Sequence, residues 1–181
     1  LAAPTTRSGT GPNLSMKTPA SSASPQSVWL DTDIGDDTDD IFALALICAS
    51  PELALAGVST VFGDTEERAR LARTLLQSTA SPAARTPVAA GCGHPLPGSE
   101  PLVIPLSGPL QRSPISQLPC ARPAATLPRP ARRHGVDLLA RHLRKHPGKT
   151  IPVTIGALTN IATLLLREPA LRRAIPRLVV M

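Results

Sequence analysis

At 181 residues with 42% apolar side chains, the chain can bury one domain core, but only 2% of it is aromatic. So few rings exclude the stacking platforms that read single-stranded RNA and leave packing to Leu, Ala, Val and Ile, which suits helices over a buried parallel sheet. The net charge of +6 is uneven: six of 13 acidic residues lie within 31–40, whereas from residue 120 onward twelve Arg or Lys face only Asp137 and Glu168. Without aromatic interleaving, that basic half reads as solvated surface, and no nucleic-acid partner is expected.

Residues 1–26 are rich in Ser, Thr, Pro, Ala and Gly and read as a disordered leader. Order is expected from Ser27, where Val28-Trp29-Leu30 forms a short buried strand that stops at Asp31. Ile41 to Cys48 is apolar almost all round and predicts a buried helix ending before Pro51. Leu53 to Val61 predicts a second strand, broken by Gly63. Asp64-Thr65-Glu66-Glu67 has the form of a capping box, and Ala69, Ala72, Leu75 and Leu76 mark one face of the helix behind it. Pro87 to Gly91 predicts a third strand. Alternating strands and helices imply crossovers and an open, mostly parallel α/β sheet with flanking helices.

The stretch 81–130 holds 12 of the 21 prolines, a density that blocks helices and central strands. Only Pro87 to Leu96 resembles a folded element there, and about 97–130 is expected to be irregular. Regularity returns at His134 to Ala140, a helix with a basic exposed face. A strand over Ile151–Ile155, a helix over Leu158–Arg167 and the start of a strand over Arg177–Met181 complete the pattern, so the sequence stops in mid-strand. Cys48, Cys92 and Cys120 form no CxxC pair. Neither a disulfide framework nor a zinc site is expected, and a reducing, cytoplasmic setting is. No apolar run approaches the roughly 18 residues of a membrane span, and no signal peptide is visible.

Chemistry concentrates in Asp31-Thr32-Asp33-Ile34-Gly35-Asp36-Asp37-Thr38-Asp39-Asp40. Six carboxylates in ten residues repel one another unless solvent or a cation compensates. The run lies between a strand end and a helix start, where open parallel sheets bind ligands, and the helix N-terminus offsets some of the repulsion. Gly35 suits the positive φ of a tight turn. Hard oxygen ligands select calcium, or magnesium with fewer protein ligands. The spacing is wrong for an EF-hand, because Phe42 stands where a bidentate Glu is needed.

The run Val28 to Gly35 with Asp39-Asp40 and the apolar helix behind it resembles the signature of the inosine-uridine-preferring nucleoside hydrolases. Four further blocks agree in order: Ser50 to Leu53 with Gly57 to Gly63, Pro87 to Gly91, Val153 to Ala162, and Arg177 to Met181. The resemblance implies hydrolysis of the N-glycosidic bond of ribonucleosides by a calcium-bound water that an aspartate activates. Asp33 would bind calcium and act as base, Asp40 would be a second ligand, and the backbone carbonyl of Ile155 a third. Asp39 would hydrogen-bond a ribose hydroxyl. Asp64 falls where relatives often carry an Asn near the sugar, although a helix cap explains it equally. Thr159 and Asn160 read as caps of the next helix, and the four histidines as loop and exposed helix residues.

The family takes its last metal-ligand aspartate from a C-terminal half that this sequence lacks. Residues 27–181 therefore read as the N-terminal portion of such a domain, inactive alone, and the full-length protein is expected to be a homo-oligomer. Two rival readings are a haloacid dehalogenase-like phosphatase, with Asp31 as nucleophile and Asp33 as acid-base, and a non-catalytic truncated product.

Overall fold

The computed structural model describes residues 24–79, 81–96 and 128–181. The expectations for a leader up to residue 23 and for irregular chain over 97–127 lie outside the described residues. Five strands form one sheet: β1 (Gln26–Thr32), β2 (Leu53–Thr60), β3 (Val88–Ala90), β4 (Thr150–Thr154) and β5 (Val179–Val180). All neighbours run parallel, in the order β3-β2-β1-β4-β5. This is the expected open parallel sheet. Gln26 belongs to β1 because its N–H bonds Glu52 O at 2.8 Å and its side-chain amide bonds Lys149 O at 2.9 Å, links that an apolar pattern cannot show.

Among the described residues, four helices cover the sheet: α1 (Asp39–Ala49), α2 (Thr65–Ser78), α3 (Gly135–Lys145) and α4 (Thr159–Arg167). Side chains alternate along a strand, so β1 feeds two cores. Val28 and Leu30 pack with Leu44, Ile47, Ala69, Leu71, Ala72 and Leu76 of α1 and α2. Trp29 packs on the opposite face with Val136, Leu139, Leu143, Ile161 and Leu164 of α3 and α4. Burial at this scale stabilises each Leu or Ile by about 1.5–3 kcal/mol.

The expected fully buried α1 needs correction. Leu44 and Ile47 face the core, but Phe42 is 70% exposed and Leu46 67% exposed, so only one face of the helix meets the sheet. The proline-dense stretch also holds more structure than expected: Pro82–Arg85 forms a 3-10 turn whose N-cap, Ser81, accepts from Ala83 N–H, with Pro at a position where its missing N–H costs nothing.

The strand order locates the site. From β1 the chain steps outward through β2 and β3, then crosses back to β4 and β5 on the other side of β1. The carboxyl ends of β1 and β4 therefore flank the topological switch point, where open α/β sheets bind ligands. An irregularity in β2 between the partners of Val28 and Trp29 shifts the register, so that Asp31 lies opposite Ser59.

Candidate active site

Asp31, the penultimate residue of β1, has its side chain on the α3/α4 face and is wholly buried. Its Oδ1 accepts from Ser59 Oγ and from Asn160 Nδ2, the latter at 2.7 Å. Ser59 Oγ accepts in turn from the Trp29 indole at 3.0 Å. Asn160 also donates to Thr60 O at 3.0 Å, and its Oδ1 accepts from Cys92 N–H at 2.8 Å. One amide thus ties together β1, β2 and the end of β3. Among the described residues, Asp31 Oδ2 has no hydrogen-bond partner. Burial pushes the Asp31 carboxyl up to about 6 against the lowering by Ser59 and Asn160. A carboxylate so enclosed cannot reach a phosphate ester, which removes the phosphatase reading built on Asp31 as nucleophile.

The next residues turn toward the other face. Thr32 Oγ1 donates to Asp40 Oδ1 and accepts from Ile34 N–H at 3.1 Å. Asp40, in the first turn of α1, is only 5% exposed. Burial raises its carboxyl to about 6, with repulsion from Asp33, Asp39 and Asp37 adding to the rise and the Thr32 bond opposing it. Gly35 takes φ 132°, the left-handed side of the map that the turn requires.

Asp33 is half-buried. Burial raises its pKa most, its own N–H and Arg68 lower it, and Asp36 and Asp39 raise it further. A Cβ placed on Gly156 would lie 2.7 Å from Asp33 Oδ1 and 2.9 Å from Asp33 N. The Asp33 carboxylate therefore sits against Gly156, whose amide belongs to the Ile155–Gly156 peptide. Ile155 is fixed in turn by its N–H on Asp31 O at 2.9 Å. Asp33, Asp40 and the turn after β4 thus gather at the switch point.

Asp39 and Asp37 are exposed. A hydrogen bond between them lowers the Asp39 pKa and raises that of Asp37. Among the described residues, Asp37, Asp39 and Asp40 form a trio with one oxygen each within 4.8 Å of the others, a geometry that could hold a metal. Asp33 is not in that trio, so Asp40 alone is shared between it and the ligand set expected from the sequence, Asp33, Asp40 and the Ile155 carbonyl. Asp64 caps α2: its Oδ1 accepts from Glu67 N–H at 3.0 Å.

Two residues that organise the site do not stand out in the sequence. Asn160 reads there as a cap, but the N-cap of α4 is Leu158 and the Asn160 amide is committed to the buried network. Arg68 is 3% exposed and reaches from α2 into the aspartate loop. The helical face marked by Ala72 and Leu76 continues one turn back to Arg68, which is the signal that could have found it. His142 is also no plain exposed residue: it bonds Thr150 Oγ1 at 2.8 Å and its ring lies 5.5 Å from that of Trp29.

Comparison with known proteins gives a consistent result. The family model described as inosine-uridine preferring nucleoside hydrolase matches residues 28–181. Over 155 residues the chain is 28% identical to uridine nucleosidase 1 of Arabidopsis thaliana, covering 84% of this chain and 43% of that protein. It is 34% identical over 162 residues to the pyrimidine-specific ribonucleoside hydrolase RihA of an Enterobacter species, covering 85% of this chain and 47% of that one. A solved plant nucleoside hydrolase superposes with a TM-score of 0.68 at 24% identity, over 86% of this chain and 47% of the plant one. The chain spans about half the length of the curated relatives it matches.

Proposed function

The chain belongs to the inosine-uridine preferring nucleoside hydrolase family, and on that premise we propose that it supplies the first part of a calcium-dependent site that hydrolyses ribonucleosides to base and ribose. The observation that carries this reading is the packing of the Asp33 carboxylate against Gly156 at the switch point, within the field of Asp40.

The donors suit a hard cation. They are oxygens only, and both carboxyls are raised by burial and by repulsion from neighbouring carboxylates, Asp36 and Asp39 for Asp33 and Asp33, Asp39 and Asp37 for Asp40, which a divalent ion would relieve. Asp33, Asp40 and the Ile155 carbonyl would hold it. Bound calcium supplies positive charge that orients the ribose diol and makes nearby water more acidic.

Asp33 takes a proton from the attacking water, and its raised pKa brings it nearer the range of an effective base. The water oxygen bonds to the anomeric carbon as the C–N bond breaks; the electron pair of that bond leaves with the nucleobase, which takes up a proton from solvent, and Asp33 returns its own proton to water. The clustered carboxylates stabilise the cationic sugar that develops between these events. Asp39, exposed at the start of α1, accepts from a ribose hydroxyl. Asp64 would face the sugar with the carboxylate oxygen not used in capping α2, since its Oδ1 accepts from Glu67 N–H. The chain spans about half the length of its curated relatives, and we further infer that residues 1–181 alone are inactive and, separately, that the full-length protein is a homo-oligomer. Free thiols at Cys48 and Cys92 suit a reducing cytoplasm. Among the described residues, no helix is long and apolar enough to cross a membrane.

The test is release of uracil or hypoxanthine from uridine or inosine by the full-length protein, with calcium and with a chelator. Asp33→Asn should lower kcat by at least about a hundredfold. Undiminished turnover in Asp33→Asn, or activity indifferent to chelation, would overturn the proposal.

A further inference from the structure

A single side chain of α2 holds the aspartate loop between β1 and α1 at several points. Arg68 Nε donates to Phe62 O at 2.8 Å. Its Nη1 donates to Asp33 O and, at 3.0 Å, to Ile34 O. Its Nη2 donates to Asp36 Oδ2 at 2.7 Å. Phe62, whose carbonyl it holds, is a non-glycine residue at φ 68°, a conformation that needs support from its surroundings. The guanidinium carbon lies 5.8 Å from the Phe62 ring centroid. A guanidinium with 3% exposure is retained only where its fork is filled.

We propose that Arg68 is a positioning residue that shapes the aspartate loop for a divalent cation through the geometry of its fork and against the effect of its charge. This rests on the reading of the loop as a cation site. Coulomb's law alone says that a buried cation beside a metal site weakens metal binding, so its removal should tighten binding. The four-way clamp says the reverse. Without the fork, the Asp33 and Ile34 carbonyls lose their donor, the turn relaxes, and Asp33 leaves its place against Gly156. Lysine keeps the charge but, with a point ammonium, cannot span three carbonyls and a carboxylate.

The experiment uses the full-length protein and its Arg68→Lys, Arg68→Met and Asp36→Asn variants. Calcium affinity is measured by titration calorimetry. Amide hydrogen exchange of peptides over residues 31–40 is followed without metal, with peptides over 135–145 as the internal reference. Arg68→Lys is expected to bind calcium about 10- to 100-fold more weakly. Arg68→Met should be at least as weak despite its lost positive charge. In both, the loop should exchange faster while α3 stays unchanged, a pattern that a general loss of stability would not give. Wild-type affinity in Arg68→Lys, or tighter binding in Arg68→Met, overturns the clamp.

If both Arg68 variants fail to fold, Asp36→Asn decides. Its carboxylate side chain is 48% exposed, so the change is mild; a severalfold loss of affinity supports the clamp and none overturns it. If the wild-type protein itself takes up no calcium, the cation-site reading fails. Loop exchange then judges Arg68 alone: acceleration in Arg68→Lys keeps its shaping role, and no change removes it.

Discussion

Replacing Asp31 by asparagine should stabilise the metal-free protein at neutral pH, although it alters the most buried carboxylate of the site. Asp31 rises from 3.8 to about 6 on folding, burial being the main cause. A carboxyl whose pKa is raised in the folded state contributes stability that is fully present below its unfolded pKa and lost as pH rises through the folded one. The window is therefore about pH 4 to 6. Above it, the ionised group costs about 3 kcal/mol relative to its protonated form. The uncharged amide of the Asp31→Asn variant carries no such penalty, and its oxygen can still accept from Ser59 and Asn160. The amide N–H would fall where Oδ2 now has no partner, which takes back about 1 kcal/mol. The net gain at pH 7.5 is about 2 kcal/mol, and near pH 4, where the ionisation penalty is gone, it turns into a loss of up to about 1 kcal/mol. Urea unfolding in chelator reads this through the single tryptophan, Trp29, which is 1% exposed. A variant less stable than wild type at pH 7.5, by an amount that does not change with pH, would refute the reasoning.

Asn160→Ala removes an amide that bonds Asp31 Oδ1, Thr60 O and Cys92 N–H and leaves those buried groups short of partners. A loss of about 3–4 kcal/mol in unfolding free energy is expected by denaturant titration. Gly156→Ala sets a methyl 2.7 Å from Asp33 Oδ1 and 2.8 Å from Val61 Cγ1. Calcium affinity should fall at least about tenfold in calorimetry, with a stability cost of about 1–3 kcal/mol from overpacking.

What can be read from the chain are its local and periodic features. Strand-helix alternation implies the parallel sheet, and the Asp64–Glu67 cap is visible because both partners lie within one helical turn. The gathering of Asp31 to Asp40 between a strand and a helix points to the site. Asn160 escapes because its partners are 129 and 100 positions away for Asp31 and Thr60, and an Asn near a helix start looks like a cap. Arg68 escapes because its charge is the same as that of Arg70 and Arg73 on the same helix, while the fold buries only the first of the three. Sequence overstates the burial of α1 for the opposite reason: Phe42 and Leu46 are apolar, and composition does not say which helix face meets the sheet.

The most direct measurement is a crystal structure of the full-length protein grown with calcium. The expected result is one ion about 2.3–2.6 Å from oxygens of Asp33 and Asp40 and from the Ile155 carbonyl. An ion held by Asp37 and Asp39 without Asp33, or none at millimolar calcium, would contradict it.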